Sequence, residues 1–147
     1  MVKWKLQLDE EVKLKLLGIQ SNWSEHRLVW SINKSLGLQL TRQEDFSISN
    51  VNKSPNDTLF EDQKEYHFSV FLHEGEQEQA ILVSNLGQGR SLYDDKRKLD
   101  YLFKLESSHR SIHDCVDTLN EIRGVLAITR LECSDEDLVA RPFTEHL

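Results

Sequence analysis

The chain has 147 residues, near the commonest size of a single domain, and a fold of that size hides roughly two-thirds of the surface its unfolded chain exposes. Its 18 basic and 25 acidic residues give a net charge of -7, which disfavours nucleic-acid backbones and anionic lipid as general partners. No run approaches the roughly 18 apolar residues of a membrane span, and Met1-Val2-Lys3-Trp4-Lys5 does not open a secretory leader, so a soluble cytoplasmic protein is expected.

In chain order, Trp4, Leu6 and Leu8 recur every second position, and Val12, Leu14 and Leu16 resume the alternation past Asp9-Glu10-Glu11 and run on to Leu17 and Ile19. A period of two predicts a hairpin or one long interrupted strand. Leu28, Val29, Ile32 and Leu36 then share one helical face, with Ser24 placed to cap its start and Gly37 to end it. Leu38 to Thr41 and Asp45 to Ser49 read as short strand pieces, and Asn52 to Asp57 as a loop.

The centre of the chain is rich in strand signals. Tyr66, Phe68, Val70 and Leu72 alternate, His73 to Glu76 supply a turn, and Gln79 to Leu86 carry a second apolar run, which together predict a β-hairpin. Leu99, Tyr101, Phe103 and Leu105 form a further strand, taken as facing the helices. Ser107 or Ser108 can cap a second helix with the stripe Ile112, Cys115, Val116, Leu119 and Ile122, closed by Gly124. Val125 to Leu131 make the last strand of a β-α-β unit. Residues 1–133 thus read as one domain and 134–147 as a polar, loosely held tail.

These elements predict an α+β fold: a two-layer sandwich of about six mostly antiparallel strands with two helices on one face, ferredoxin-like with extra strands as one candidate order. The segments Leu17-Gly18-Ile19, Arg27 to Lys34, Leu36-Gly37-Leu38 and Leu99-Asp100-Tyr101-Leu102 resemble the bacterial IPExxxVDY family over most of the chain. Leu99, Asp100 and Tyr101 match its Val-Asp-Tyr end, while Tyr93, Asp94 and Asp95 stand where Ile, Pro and Glu would be. The resemblance implies a small cytosolic domain with no assigned activity.

The chemistry-bearing residues favour structural roles. His67 and His73 are about 20 Å apart at strand rise, too far to share an ion. His109, His113 and Asp117 have helical spacing for a metal site but fall opposite the apolar stripe, as a solvated face does. No cofactor is implied. Cys115 sits in the apolar stripe and Cys133 lies among carboxylates, so neither reads as a nucleophile or a disulfide partner. Glu44-Asp45, Glu61-Asp62 and Asp94-Asp95 stand in polar stretches, and Trp4, Trp23 and Trp30 read as core and rim packing.

Two surfaces remain. The segment from Gly87 through Gly89 and Arg90 to Arg97, Lys98 and Asp100 joins flexible backbone to cations; it reads first as a mobile solvated loop and second as the best candidate for a small anion, since no helix follows to complete a phosphate site. Asp100 itself is read first as a backbone hydrogen-bonding group at a sheet end. The second surface is the sheet face away from the helices, where Phe71, Ile81 or its neighbour Leu82, Leu102, and Ile128 or Leu126 predict an apolar patch and a symmetric homodimer, unless Leu138, Val139 and Phe143 fold back to cover it. The expected function is a noncatalytic binding or assembly module, with an enzyme or sensor for an anionic metabolite as the alternative.

Overall fold

A computed structural model describes residues 13–49 and 65–144. The readings of Val2 to Leu8 as a strand and of Asn52 to Asp57 as a loop, together with Trp4 and Glu61-Asp62, lie outside those residues. The described elements are β1 (Lys13–Ser21), α1 (Glu25–Leu36), β2 (Thr41–Arg42), β3 (Phe46–Ser49), β4 (Glu65–Phe68), β5 (Val70–Glu74), β6 (Glu78–Ser84), β7 (Leu86–Gly87) and β8 (Arg90–Ser91). They continue with β9 (Tyr101–Ser107), α2 (Ile112–Asn120) and β10 (Val125–Ser134), and end in a 3-10 turn (Leu138–Ala140) that leads into the short helix α3 (Arg141–Thr144).

Six strands form one antiparallel sheet in the order β10-β1-β9-β6-β5-β2. Its inner part, β10-β1-β9-β6, has the ferredoxin-like arrangement, because β9 separates β1 from β6 and β1 separates β9 from β10. Strands β5 and β2 extend it beyond β6. The β-α-β unit formed by β9, α2 and β10 therefore spans the intervening β1.

Both long helices pack on one face, as their apolar stripes require. Leu28, Val29, Ile32 and Leu36 of α1 and Cys115 and Leu119 of α2 enclose Leu17, Ile19, Leu82, Tyr101 and Phe103 from the strands. Gly37 closes α1 in the left-handed region (φ 69°), and the N–H of Leu38 returns to the Asn33 carbonyl at 3.0 Å. Ser24 occupies the N-cap without a side-chain cap bond, and α2 is capped by Ser111, whose hydroxyl accepts from Asp114 N–H at 3.1 Å. The expected caps Ser107 and Ser108 lie upstream. Ser107 instead holds the connecting loop by accepting from the N–H groups of His109 and Arg110.

The opposite face is also filled. Leu14, Leu16, Val70, Leu72, Ile81, Val83, Leu102 and Leu131 of the sheet meet a second layer made by Phe46, Ile48, Phe68, Leu92, Leu99, Val139, Ala140 and Phe143. Three segments supply that layer: the β3–β4 hairpin, the stretch from Leu92 to Leu99, and the carboxyl-terminal turn and helix. The supposed strand Tyr66 to Leu72 breaks at Ser69, which frees β4 to pair with β3 while β5 stays in the main sheet.

Three expectations change with this layer. Ile81 and Leu102 lie inside the second core, while Phe71 and the partly buried Ile128 belong to the helix side, so the four do not form one exposed patch. Leu99 precedes β9 and packs on the face away from the helices, where Gly18 makes room for it. Residues 138–144 are no loose tail, because Val139, Ala140 and Phe143 are buried. Removing a fully buried phenyl ring generally costs about 3–5 kcal/mol. Phe143→Ala should therefore lower the free energy of unfolding by about that much in urea titrations, and a change under about 1 kcal/mol would show that the segment contributes no core.

Candidate functional site

The basic glycine segment is built around Asn85, a side chain only 2% exposed. Its amide nitrogen donates to the carbonyls of Tyr93 (3.0 Å) and Leu99 (2.9 Å), and its carbonyl oxygen accepts from Tyr93 N–H (2.6 Å). Its main chain accepts from Leu92 N–H and donates to the Asp100 carbonyl. One buried amide thus folds residues 92–100 back onto the sheet. Asp100 closes the far end: its carboxylate accepts from Ser21 N–H at 2.9 Å, and its own N–H donates to the Ile19 carbonyl. The backbone role expected for Asp100 is the one the geometry shows.

Arg90 and Arg97 of this segment have different partners. Strands β7 and β8 turn through Gln88 (φ 49°) and Gly89 (φ 88°), two successive positive φ angles of the kind a tight hairpin needs. Gly87 rests against His67 O and the Phe68 ring, where a Cβ would come within 2.4 Å of that oxygen. Arg90 lies 5.2 Å from the centre of the Tyr66 ring, and Arg97 binds both carboxylate oxygens of Asp95 at 2.8 and 2.9 Å. Those hydrogen bonds hold the Asp95 carboxyl down to about 2. Lys98 is exposed.

A polar cluster that the sequence reading missed sits at one end of the sheet. Glu78, at the start of β6, is 9% exposed. Its Oε1 accepts from Arg110 Nη2 at 2.9 Å, and Arg110 Nε stands 2.5 Å from Oε2, an ion contact without hydrogen-bond alignment. Arg110 also donates to the Leu36 carbonyl at 2.7 Å, so one guanidinium ties the end of α1, the start of β6 and the approach to α2. His109 Nε2 lies 3.8 Å from Glu78 Oε2, and His73 Nδ1 accepts from Gln39 N–H at 3.0 Å. Two adjoining open grooves of about 310 and 360 Å3 share Gly75 to Glu78 as their floor; His73 and His109 border the larger and Ser107 and Ser108 the smaller.

Among the described residues no three His, Cys, Asp or Glu side chains gather to hold a metal ion. His109 lies before the α2 cap and turns to Glu78, which separates it from the exposed pair His113 and Asp117, 3.3 Å apart. His67 and His73 fall on different strands of different sheets, with His67 Nδ1 2.7 Å from Ser47 Oγ. Cys115 and Cys133 are free and buried, and burial pushes the Cys115 thiol up to about 11.

The outer side of α1 departs most from expectation. Trp23 does pack, with Arg27 4.0 Å above its ring and Gly124 closely beneath it. Trp30 is not rim packing: it is 62% exposed, with the Lys34 ammonium 4.9 Å from the ring centre. Comparison with protein-family models, curated proteins and solved structures found no match for the chain.

Two outcomes follow from this geometry. Replacing Arg90, Arg97 and Lys98 together by serine should leave the melting temperature almost unchanged, since exposed charges contribute little. Asn85→Ala should instead cost about 1–3 kcal/mol for each buried partner left unsatisfied. Equal losses in the two variants would show that the charges hold the segment. In alkali, the thiol of Cys115 ionises near its ordinary value of 9.0 when unfolded and near 11 when folded, so stability should be intact below pH 9 and fall as pH rises towards 11. Tyr101, raised by burial to about 12, acts in the same direction at higher pH. Chemical denaturation should show a shallower decline across that window for Cys115→Ala than for the parent chain, and equal slopes would refute the assignment.

Proposed function

We propose that the chain is a noncatalytic binding or assembly module that acts in the cytoplasm through protein contacts. The observation that carries this reading is Trp30: a large aromatic 62% exposed, on a helix face it shares with Arg27 and Lys34. Tryptophan supplies rigid contact area at little entropic cost and is over-represented among binding anchors. The Glu78–Arg110 pair, the most buried charged group of the described residues, has its donors directed at α1 and β6, which suits a tie between elements better than a reacting group. A net charge of -7 supports protein partners over nucleic acid. The partial match to the Val-Asp-Tyr end of the IPExxxVDY family, carried by Leu99, Asp100 and Tyr101, agrees with this reading and adds no reaction to it.

The alternative, an enzyme or sensor for an anionic metabolite, would draw on the basic glycine segment 87–98, with Arg90, Arg97 and Lys98 as its cations. A thermal-shift panel of phosphorylated metabolites and divalent metals separates the two, because a ligand at a hundred times its dissociation constant adds roughly 2.7 kcal/mol. The module reading expects no shift across the panel. Stabilisation by a phosphorylated compound that disappears when Arg90, Arg97 and Lys98 are replaced by serine would overturn it.

A further inference from the structure

Strand β10 ends the six-stranded sheet, and no described strand pairs with its outer side. The ladder fixes which main-chain groups that side presents. Asp100 donates to the Ile19 carbonyl at 2.8 Å, so the odd-numbered residues of β1 turn their hydrogen-bonding groups towards β9 and the even-numbered ones, Leu16 and Gly18, towards β10. Leu131 and Thr129, opposite Leu16 and Gly18, bond inward. Ile128, Arg130 and Glu132 therefore point their N–H and C=O groups away from the sheet. Ser134 has the same phase, and its N–H is met by Asp137 Oδ2 at 3.0 Å, which caps the end of this free edge.

Charged side chains on an edge strand usually guard against pairing with another chain. Here the guard has a gap. Arg130 and Glu132 are both exposed, carry opposite charge, and lie two positions apart on the same face. If a second copy lies antiparallel along the edge with the two-fold axis at Leu131, Arg130 stands opposite Glu132 of the second copy, and Glu132 opposite its Arg130. Those are also the residues whose main-chain groups are free, so each cross-pair exchanges two backbone hydrogen bonds and joins opposite charges. An axis at Arg130 or at Glu132 would instead set like charges face to face. Beside this edge the half-exposed Ile112 overhangs a niche of about 180 Å3 lined by Lys15, Leu17, Arg130 and Glu132, which adds apolar surface on the helix side.

We propose that β10 is a homotypic docking strand, through which two copies pair antiparallel about Leu131 into one continuous sheet. The proposal rests on the assembly reading above and gives it a partner, a second copy of this chain, at a surface separate from Trp30. It also replaces the sheet-face patch, which is covered within the chain, as the seat of a homodimer.

Charge reversal tests the register. Light scattering on the full chain over a range of concentrations should give twice the chain mass for the parent. R130E and E132R should each raise the dimer dissociation constant roughly tenfold or more, because both symmetric contacts become repulsive. The doubly reversed R130E/E132R chain restores opposite signs and should dimerise again. So should an equimolar mixture of R130E and E132R, in which every cross-pair is complementary. Circular dichroism should remain that of the parent throughout. A parent chain of single mass at its highest soluble concentration, or single variants that dimerise as well as the parent, would overturn the proposal. Those results leave the module reading to its own test, since only a metabolite captured by the 87–98 segment overturns that one.

Discussion

The sheet is apolar on both sides, and the rest of the structure follows from covering it. An antiparallel sheet can leave one face in water only when alternate residues are polar. In β6 the run Ala80, Ile81, Leu82 and Val83 sends two residues to each side, and in β9 Leu102 opposes Tyr101 and Phe103. Two helices of 12 and 9 residues shield only one face. The other needs a second cover, which accounts for the inserted β3–β4 hairpin, the return of residues 92–99 and the burial of Phe143.

That second cover is made largely from irregular backbone, which carries polar groups that cannot be buried unpaired. Asn85 resolves the conflict. A side-chain amide offers both donors and an acceptor, so one residue satisfies the main chain of Tyr93 and Leu99 at once and leaves Leu92 and Leu99 free to enter the core. Asp100 does the same for Ser21 at the edge of this segment. The glycines have narrower tasks. Gly18 lets Leu99 lie against β1, and Gly87 lets β7 approach the main chain of β4.

The elements that are simple local periods were legible in the sequence: Leu28, Val29, Ile32 and Leu36 at helical spacing, and Tyr101 and Phe103 at strand spacing, are buried as the pattern requires. What depends on distant residues was not legible. Glu78 and Arg110 are 32 residues apart, and neither position carries a local sign that the other completes it. The fold-back of 138–144 was written faintly in Leu138, Val139 and Phe143, but their polar surroundings dominate any local average. Trp30 shows the reverse failure. Hydrophobicity alone assigns an indole to the interior, yet the buried face of α1 runs through Val29 and Ile32 and turns residue 30 outward.

Among the described residues, with both faces used internally, the surfaces left for contact with another molecule are the backs of the helices and the free edges of the sheet. The two edges differ sharply. Strand β2 covers its end with two residues, Thr41 and Arg42, too short to template a partner, whereas β10 runs for ten. Length alone would make β10 a hazard for indefinite stacking. A two-fold pairing avoids that outcome, because the edge that recognises its own copy is consumed by the contact and nothing remains to add a third chain. The alternation of Arg130 and Glu132 is suited to that purpose: two like charges would bar every copy, and two neutral residues would admit any register. In the proposed pairing, opposite signs two positions apart favour the register centred on Leu131 and penalise its nearest neighbours, so the pair of residues that would permit a dimer would also limit slippage along the strand.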